Sequence, residues 1–296
     1  MIKILFIGCV ESSYKLLAEL IARRKNVVGV ITKKQSGFNA DYCDLALLCG
    51  SHNIPCHFVK SANDPDSLAF IQSLSPDVCF CFGWSQLLKE ELIRLFPAGA
   101  VGFHPAKLPD NRGRHPLIWA LALGLKETAS TFFMLNAGAD EGDIVSQRKV
   151  EIAYEDDART LYDKVMDIAV KQEIELVERL ESGNVVRVKQ NANAGNFWRK
   201  RGKEDGRIDW RMSSRAIYNL VRSLTRPYVG AHFVHHGTEW KVWKAQELDV
   251  KDVENIEPGK ALALNDDGTV DVKAGDGAVR LVEFDRPKIS EGDYLL

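Results

Sequence analysis

The chain has 296 residues, of which 45% are hydrophobic and 27% are charged. These values are typical of a globular protein with one or two domains, and they exclude a disordered or low-complexity scaffold. Its 39 Lys and Arg residues against 41 Asp and Glu residues give a net charge of -2, which argues against a general nucleic-acid binder. No apolar run has the length of a membrane span or of a signal-peptide core, so a cytoplasmic protein is expected.

Strand and helix signals alternate through the first half of the chain. Strands are predicted over residues 3–8, 27–32, 55–59, 77–82 and 100–104, with helices between them over 13–24, 42–49, 67–74 and 86–96. Alternation of this kind is typical of βαβ units, so we expect an α/β fold with a Rossmann-like, mostly parallel sheet flanked by helices. Ligands of such sheets bind beyond the carboxyl ends of the strands, where Gly8, Gly83 and His104 are predicted to lie.

The second half changes character after a long amphipathic helix. A short helix is predicted over residues 117–123, strands over 131–135 and 144–152, and the long helix over 158–181. After the polar segment 191–196, a helix over 214–224 precedes strands over 230–234, 240–245, 260–264, 269–272 and 279–284. Short strands separated by turns predict a small β-rich, barrel-like C-terminal domain. The expected organisation is a first domain over residues 1–185, a linker over 186–200 and a second domain over 201–296.

Cysteine and histidine spacing indicates no metal site. The six cysteines lie in the first third of the chain without a C-x-x-C pair, which is typical of reduced thiols in a cytoplasmic protein: Cys9, Cys43, Cys49, Cys56, Cys79 and Cys81. His232, His235 and His236 fall in a predicted hairpin without a carboxylate or cysteine at ligand spacing, so they are interpreted as surface residues.

The strongest functional signal is the segment from Gly102 to Gly124. His104 lies at the end of a predicted strand. The proline-rich stretch that follows, which contains Arg112-Gly113-Arg114, is typical of a loop held in one shape over a site. A second signal is the Gly-rich acidic turn of residues 136–143, after another predicted strand. A histidine and an aspartate on neighbouring strand ends can act together as a general base.

The first segment is similar to the signature of the folate-dependent N-formyltransferases, N-x-H-x-S/A-x-L-P-x-x-R-G-x-x-P, followed about 36 residues after the histidine by a D-x-G turn. His104, Leu108-Pro109, Arg112-Gly113 and Asp140-Glu141-Gly142 occupy the motif positions. Lys203–Trp210 resembles the entry to the second domain of that family. Arg222–Ala231 resembles a segment of formyltransferases that act on nucleotide-linked amino sugars.

This resemblance implies transfer of a formyl group from 10-formyltetrahydrofolate, a co-substrate, to an amine. His104 would be the general acid and base, and Asp140 would orient it and stabilise its protonated form. The pterin would be held by residues that match the family's binding segments, largely through backbone groups: Gln86, Leu87, Leu88, Arg114, Asn136, Ala137, Gly138, Ala139 and Asp140. A basic and aromatic cluster at the domain junction, together with a later arginine, is expected to bind the nucleotide: Trp198, Arg201, Lys203 and Arg226.

One position departs from the signature. The family has an Asn two residues before the histidine, and this chain has Gly102 there. Loss of one oxyanion donor can cost on the order of 10²–10³ in rate. Three explanations stay open: a substitute donor such as Asn111, Asn136 or a water, protonated His104 acting alone, or binding without efficient turnover.

Three functions follow in order of preference. The first is a formyltransferase for a nucleotide-linked amino sugar, with no nucleic-acid or membrane partner, whose second domain could serve as a homodimer interface. A methionyl-tRNA formyltransferase is the main rival, but residues 201–296 carry 15 Lys and Arg against 17 Asp and Glu, a poor balance for a polyanion. The third is a folate-binding protein with weak or no turnover, suggested by Gly102 alone.

Overall fold

The computed structural model describes residues 1–35, 41–191 and 193–295. The chain divides into two compact units. The first comprises Met1–Pro116, Thr128–Val150 and Asp163–Arg199, and the second comprises Leu117–Glu127, Glu151–Tyr162 and Lys200–Leu296. Within the described ranges, no helix combines the length and the apolar character needed to span a membrane.

The secondary structure follows the predicted alternation. The strands are β1 (Ile4–Ile7), β2 (Val27–Thr32), β3 (Cys56–Phe58), β4 (Val78–Cys81), β5 (Ala100–His104), β6 (Arg112–Gly113), β7 (Glu127–Met134), β8 (Ile144–Glu151), β9 (Phe197–Trp198), β10 (Ala231–His235), β11 (Thr238–Leu248), β12 (Ala261–Leu264), β13 (Val270–Lys273) and β14 (Ala278–Phe284). The helices are α1 (Glu11–Ala22), α2 (Ala46–Ser51), α3 (Pro65–Leu74), α4 (Glu90–Ile93), α5 (Pro116–Ala122), α6 (Ala158–Ser182) and α7 (Ser214–Leu224), and a 3₁₀ turn covers Lys203–Gly206.

The first unit is built on a seven-stranded sheet in the order β3-β2-β1-β4-β5-β7-β8. Strands β3, β2, β1, β4 and β5 run parallel, and β7 is antiparallel to β5. All four residues of β1 are fully buried, as expected for a central strand with a layer on each face. The predicted α/β fold with a mostly parallel sheet is confirmed.

A polar residue in the long helix α6 has a structural role on this sheet. Gln172 interrupts the apolar spacing of the helix and is nevertheless fully buried. Its amide nitrogen donates to the Ser130 carbonyl at 3.3 Å and to Ser146 Oγ at 2.8 Å. Because these acceptors lie on β7 and β8, Gln172 attaches the helix to both strands without leaving its donor unsatisfied.

The second unit contains a five-stranded antiparallel sheet in the order β10-β11-β14-β13-β12. The apolar face of α7, which presents Ile217, Val221 and Leu224, belongs to the same buried cluster as Phe233 and Leu281 of the sheet. The start of α7 is capped by Ser213, whose side chain accepts from the Ala216 N–H at 3.1 Å. The predicted β-rich second domain is confirmed.

Two local expectations are corrected. The helix predicted over residues 86–96 is limited to α4, because the side chain of Asn63 forms hydrogen bonds with the backbone just before it. Asn63 donates to the Leu87 carbonyl at 2.9 Å and accepts from the Lys89 N–H at 2.7 Å. His232 and His235, interpreted as surface residues, are only 3% and 4% exposed.

The six cysteines are free thiols, and burial raises the pKa of the Cys81 thiol.

Candidate active site

The centre of the site is a buried histidine facing a carboxylate. His104 ends β5, and Asp140 lies in the turn between β7 and β8. His104 Nδ1 is 3.8 Å from Asp140 Oδ2, with the two side chains 7% and 21% exposed. The strand order explains the approach, since β5 and β7 are hydrogen-bonded neighbours and His104 pairs with Thr131. The sheet therefore brings together two groups that are 36 positions apart in the chain.

The hydrogen bonds of His104 define which nitrogen can accept a proton. Nε2 is 2.9 Å from the Asn111 carbonyl oxygen. A carbonyl only accepts, so Nε2 must carry the hydrogen and donate it. In the neutral ring the lone pair is then on Nδ1, the nitrogen that faces Asp140. This arrangement makes Nδ1 the basic atom and places a negative charge where the protonated ring is stabilised.

Asp140 is held by its backbone and by its side chain. Its φ of 59° is in the left-handed region, which Asp and Asn tolerate better than most residues. Oδ2 accepts from the Gly113 N–H at 2.9 Å. The side chain of Gln190 donates to the carbonyls of Asp140 at 2.9 Å and Gly142 at 2.7 Å. The carboxylate is therefore fixed before any ligand binds.

The loop after His104 is anchored to the sheet by polar side chains. Thr131 Oγ1 donates to the Ala106 carbonyl at 2.6 Å, and Gln147 Nε2 donates to the Leu108 carbonyl at 2.9 Å. The peptide bond between Leu108 and Pro109 is cis. These contacts support the prediction of a loop held in one shape.

Gln190, Ala194 and residues 196–198, which fall in the predicted linker, build part of this site. Strand β9 pairs in parallel with β6, so Phe197 and Trp198 lie against Arg112 and Gly113. A Cβ at Gly113 would lie 2.3 Å from the Trp198 carbonyl oxygen, and the residue has a φ of 100°. Only glycine fits there. Sequence reasoning missed this pairing because neither two-residue strand has a periodic signal.

Arg112 explains why the signature contains an arginine at this point. It is 2% exposed, and its guanidinium donates to Gln190 Oε1 at 3.1 Å and to the Ala194 carbonyl at 3.3 Å. The guanidinium carbon also lies 5.3 Å from the centre of the Phe197 ring. Arg112 therefore holds Gln190 and Ala194 in place by hydrogen bonds. Gln190 in turn donates to the backbone of the turn that carries Asp140.

The two segments predicted to hold a pterin adjoin one buried cluster of the first unit. Leu88 belongs to a buried cluster against which Trp84 and Leu135 pack, and Leu135 directly precedes residues 136–140. Arg114 Nη1 donates to the Ser85 carbonyl at 3.4 Å, which attaches the predicted folate arginine to the start of the first segment. The structure therefore brings residues 86–88, Arg114 and the 136–140 turn into one region.

The hydrogen bonds of the two predicted pterin segments are partly satisfied within the protein. The Gln86 carboxamide donates to the Lys60 carbonyl at 3.1 Å. Beside it, Trp84 Nε1 is buried and has no hydrogen-bond partner among the described residues. In the other segment, Asn136 Oδ1 accepts from the Gly138 N–H at 3.0 Å and shapes the turn.

Comparison with known proteins agrees with this geometry. A family model described as formyl transferase matches residues 3–177, and a model described as formyl transferase, C-terminal domain, matches residues 200–292. The methionyl-tRNA formyltransferase of Caldanaerobacter subterraneus subsp. tengcongensis is 31% identical, over 99% of this chain and 96% of its own length. The chain belongs to the formyl transferase family. It is a formyl-transferring enzyme, and its recognition as a folate-dependent formyltransferase is confirmed.

Solved structures share the fold of this formyltransferase. HypX from Aquifex aeolicus in complex with tetrahydrofolic acid has a TM-score of 0.69 and 21% identity over 97% of this chain, which spans 45% of the HypX chain. The N-formyltransferase from Helicobacter canadensis, in complex with folinic acid and dTDP-3-aminofucose, has a TM-score of 0.69 and 17% identity over 95% of this chain and 99% of its own.

The position of the missing family asparagine is packed with hydrocarbon. A Cβ at Gly102 of this formyltransferase would lie 2.6 Å from Leu135 Cδ2 and 2.9 Å from Phe133 Cζ. Gly102 pairs with Phe133 across β5 and β7. The space that an Asn side chain would need is therefore taken by two apolar neighbours, and this position supplies no side-chain donor.

The predicted nucleotide-binding cations have partners within the second unit of the formyltransferase. Arg201 stacks on Trp119, 4.5 Å from its ring centre, and donates to the Asp205 carbonyl. Lys203 pairs with Glu239 at 2.6 Å. Arg226 pairs with Glu283 at 2.6 Å and lies over the Trp243 ring. Trp198 belongs to the first unit, where it pairs with Gly113 in the β6–β9 ladder. Their role toward a nucleotide stays a prediction.

Arg222, the first residue of the segment that resembles sugar formyltransferases, has a structural role. It is 8% exposed. Its Nη1 donates to the carbonyls of Ala153 at 3.1 Å, Tyr154 at 3.0 Å and Asp156 at 2.8 Å, and its Nε donates to Asn219 Oδ1 at 2.9 Å. The guanidinium therefore fixes a turn inside the second unit.

Proposed function

We propose that this enzyme transfers the formyl group of 10-formyltetrahydrofolate to the amine of a nucleotide-linked amino sugar, with His104 as general acid and base and Asp140 as its supporting carboxylate. The observation that carries the proposal is the His104 ring fixed between the Asn111 carbonyl and the Asp140 carboxylate. His104 is buried and Asp140 is half-buried. The pair has both a defined basic atom and a defined counter-charge.

The reaction requires one proton to move from the attacking amine to the leaving nitrogen. The amine nitrogen attacks the formyl carbon and gives up a proton, which His104 Nδ1 accepts. Asp140 stabilises the resulting imidazolium at a separation of 3.8 Å. When the bond between the formyl carbon and the folate nitrogen breaks, the electron pair stays on that nitrogen and His104 returns the proton to it.

The oxyanion formed in this step needs a donor, and Asn111 is the best placed of the candidates. Its carbonyl contacts His104 directly, and its N–H donates to Asn196 Oδ1 at 2.9 Å. The backbone of Asn111 is therefore fixed beside His104, and its side chain is half-buried. Asn136 is more exposed and uses its Oδ1 within its own turn. We assign the donor role to the Asn111 side chain.

The charge distribution of the second unit favours a small acceptor over a tRNA. Within the described residues, at least seven of its cations form ion pairs with carboxylates: Lys203, Arg211, Arg215, Arg226, Lys241, Lys260 and Arg280. Lys203 and Lys241 together lower the pKa of Glu239 to about 2. Cations neutralised in this way contribute little to the counterion release that drives tRNA binding.

A methionyl-tRNA formyltransferase is the second candidate. It is favoured by the name of the relative that is 31% identical over 99% of this chain. The same His104 and Asp140 chemistry would serve either acceptor, so the site alone does not separate the two.

Acceptor assays test the proposal. The purified enzyme and 10-formyltetrahydrofolate are incubated with UDP-, dTDP-, GDP- and CMP-linked amino sugars and, separately, with methionyl initiator tRNA. We expect formylation of at least one sugar, no formylation of tRNA and little loss of rate when salt is raised. Formylation of tRNA alone would replace the proposed acceptor, and folate binding without transfer to any acceptor would contradict the proposal as a whole.

A further inference from the structure

Three side chains capable of binding a metal ion converge in the second unit, outside the residues assigned to formyl transfer. His235 ends β10, His236 lies in the turn to β11, and Asp293 lies near the end of the chain. One ligand atom from each lies within 4.8 Å of the other two. This cluster could not be predicted from the sequence, because the carboxylate of Asp293 is more than 50 residues from the two histidines in the chain.

Asp293 is held in place by its own backbone. Its carbonyl accepts from the Ala261 N–H at 2.8 Å at the start of β12, and its Oδ2 accepts from the Ser290 N–H at 2.8 Å. The neighbouring Gly292 N–H donates back to the Ala261 carbonyl at 2.9 Å. The carboxylate is therefore presented from a fixed loop, with its remaining lone pairs open to a ligand.

The environment of His235 contains more acceptors than a neutral imidazole can satisfy. The residue is 4% exposed. Nδ1 is 3.4 Å from the Tyr294 carbonyl, and Nε2 is 3.3 Å from the Lys288 carbonyl and 3.8 Å from Asp293 Oδ2. A neutral ring carries one N–H, so one nitrogen must direct its lone pair at oxygen atoms. A cation at Nε2 removes this conflict, while Nδ1–H donates to Tyr294 as metal-bound histidines do to a backbone carbonyl.

His236 supplies the second imidazole from the solvent side. Its ring centre is 4.0 Å from that of His235, with the planes inclined by 46°. Its φ of 49° places it at the tip of the hairpin, where it is exposed. Access for an ion is therefore open, and the ring can close on a metal without rearrangement of the strands.

We propose that His235, His236 and Asp293 form a binding site for a divalent transition metal ion, with Zn²⁺ as the best match. Two imidazoles and one carboxylate suit Zn²⁺, whereas Mg²⁺ and Ca²⁺ prefer all-oxygen ligands. Tetrahedral ligands of Zn²⁺ at about 2.0–2.1 Å are roughly 3.3 Å apart. The 3.8 Å between His235 Nε2 and Asp293 Oδ2 is close to that value. The ion would join the β10–β11 turn to the end of the chain and leave a coordination position for water.

Calorimetric titration of the tag-free, chelator-treated full chain with ZnCl₂ tests the site. We expect one equivalent of Zn²⁺ to bind saturably and to raise the melting temperature of the wild type. His236→Ala and Asp293→Asn should each weaken binding by about tenfold or more, since even removal of an outer partner can cost this much. His52→Ala, which removes an exposed histidine of the first unit, is the matched control and should bind as the wild type does.

Both variants replace side chains that are at least partly exposed, so circular dichroism is expected to show the wild-type fold. Titration with MgCl₂ should give no saturable heat. Absence of saturable Zn²⁺ binding to the wild type would overturn the proposal. Zn²⁺ binding that is equal in the wild type, His236→Ala and Asp293→Asn would also overturn it, because the ion would then be bound elsewhere.

Discussion

At the scale of single residues, the chemistry of His104 depends on the group at each of its nitrogens. The Asn111 carbonyl fixes the hydrogen on Nε2, and Asp140 faces Nδ1. The pairing of histidine with aspartate could be predicted from the strand-end positions of the signature. The partner of His104 Nε2 could not be predicted in this way, because it is a backbone carbonyl and every residue type has one.

Asp140→Asn isolates the charge of the carboxylate. Asn tolerates the left-handed backbone and can still accept from the Gly113 N–H, so the turn should keep its shape. We expect kcat to fall by about 10²–10⁴, because the imidazolium loses its counter-charge, with folate binding little changed. Asp110→Asn, at an exposed acid of the loop that follows His104, serves as the control. A kcat within twofold of the wild type, with an unaltered pH profile, would exclude the proposed role of the charge.

Gly102→Asn tests the packing behind β5. The new Cβ would meet Leu135 and Phe133 at less than 3 Å, so the variant should lose about 1–3 kcal/mol of unfolding free energy and gain no activity. Denaturant titration measures the loss. In a Leu135→Ala background the same substitution should cost less, since the contacted methyl group is absent. Equal losses in the two backgrounds would show that Leu135 does not oppose the side chain.

At the scale of elements, Gln190 connects the arginine of the signature, in β6, to the turn that carries Asp140. Arg112 binds Gln190, and Gln190 binds the carbonyls of Asp140 and Gly142. Most strand and helix positions in both units could be predicted from hydrophobic periodicity, with β6, β9 and the extent of α4 as exceptions. This connection could not, since its polar partners are far apart in sequence and obey no period.

Gln190→Glu separates the hydrogen bond that Gln190 accepts from Arg112 from the two that it donates to Asp140 and Gly142. A glutamate keeps an acceptor for Arg112 and loses the amide donors to Asp140 and Gly142. We expect the variant to fold and kcat to fall by about tenfold to 100-fold, because the carboxylate is less firmly positioned, with a smaller effect on KM. Gln72→Ala, at an exposed glutamine of α3, should leave both constants unchanged. A kcat equal to the wild type in Gln190→Glu would show that the amide does not position Asp140.

At the scale of the whole molecule, one buried acid links stability to pH. Glu173 of α6 is fully buried, and neither carboxyl oxygen has a hydrogen-bond partner among the described residues. Burial, with a smaller contribution from the charge of Glu19, raises the pKa of Glu173 well above 4.5. The unfolded chain therefore releases this proton at a lower pH than the folded chain does.

The sign of the effect follows from that difference. The stability contributed by neutral Glu173 is complete below the unfolded pKa of about 4.5 and is lost as the pH rises toward the raised folded pKa. Glu173→Gln should remove this part of the pH dependence, so that urea unfolding midpoints measured from pH 5 to pH 8 fall less than in the wild type. Glu178→Gln, at an exposed acid of the same helix, should follow the wild-type curve. Parallel curves for wild type and Glu173→Gln would refute the assignment.

The pairing of β6 with β9 also limits how far the chain can be shortened from its C-terminal side without disturbing the site. A fragment cut at residue 185 would lack Gln190, Asn196 and Trp198, which contact the RG motif or the turn that carries the acid. Such a fragment would keep every strand of the large sheet and still present a loosened acid–base pair. Shortened versions intended for ligand soaking or inhibitor screening should therefore extend at least to Arg199.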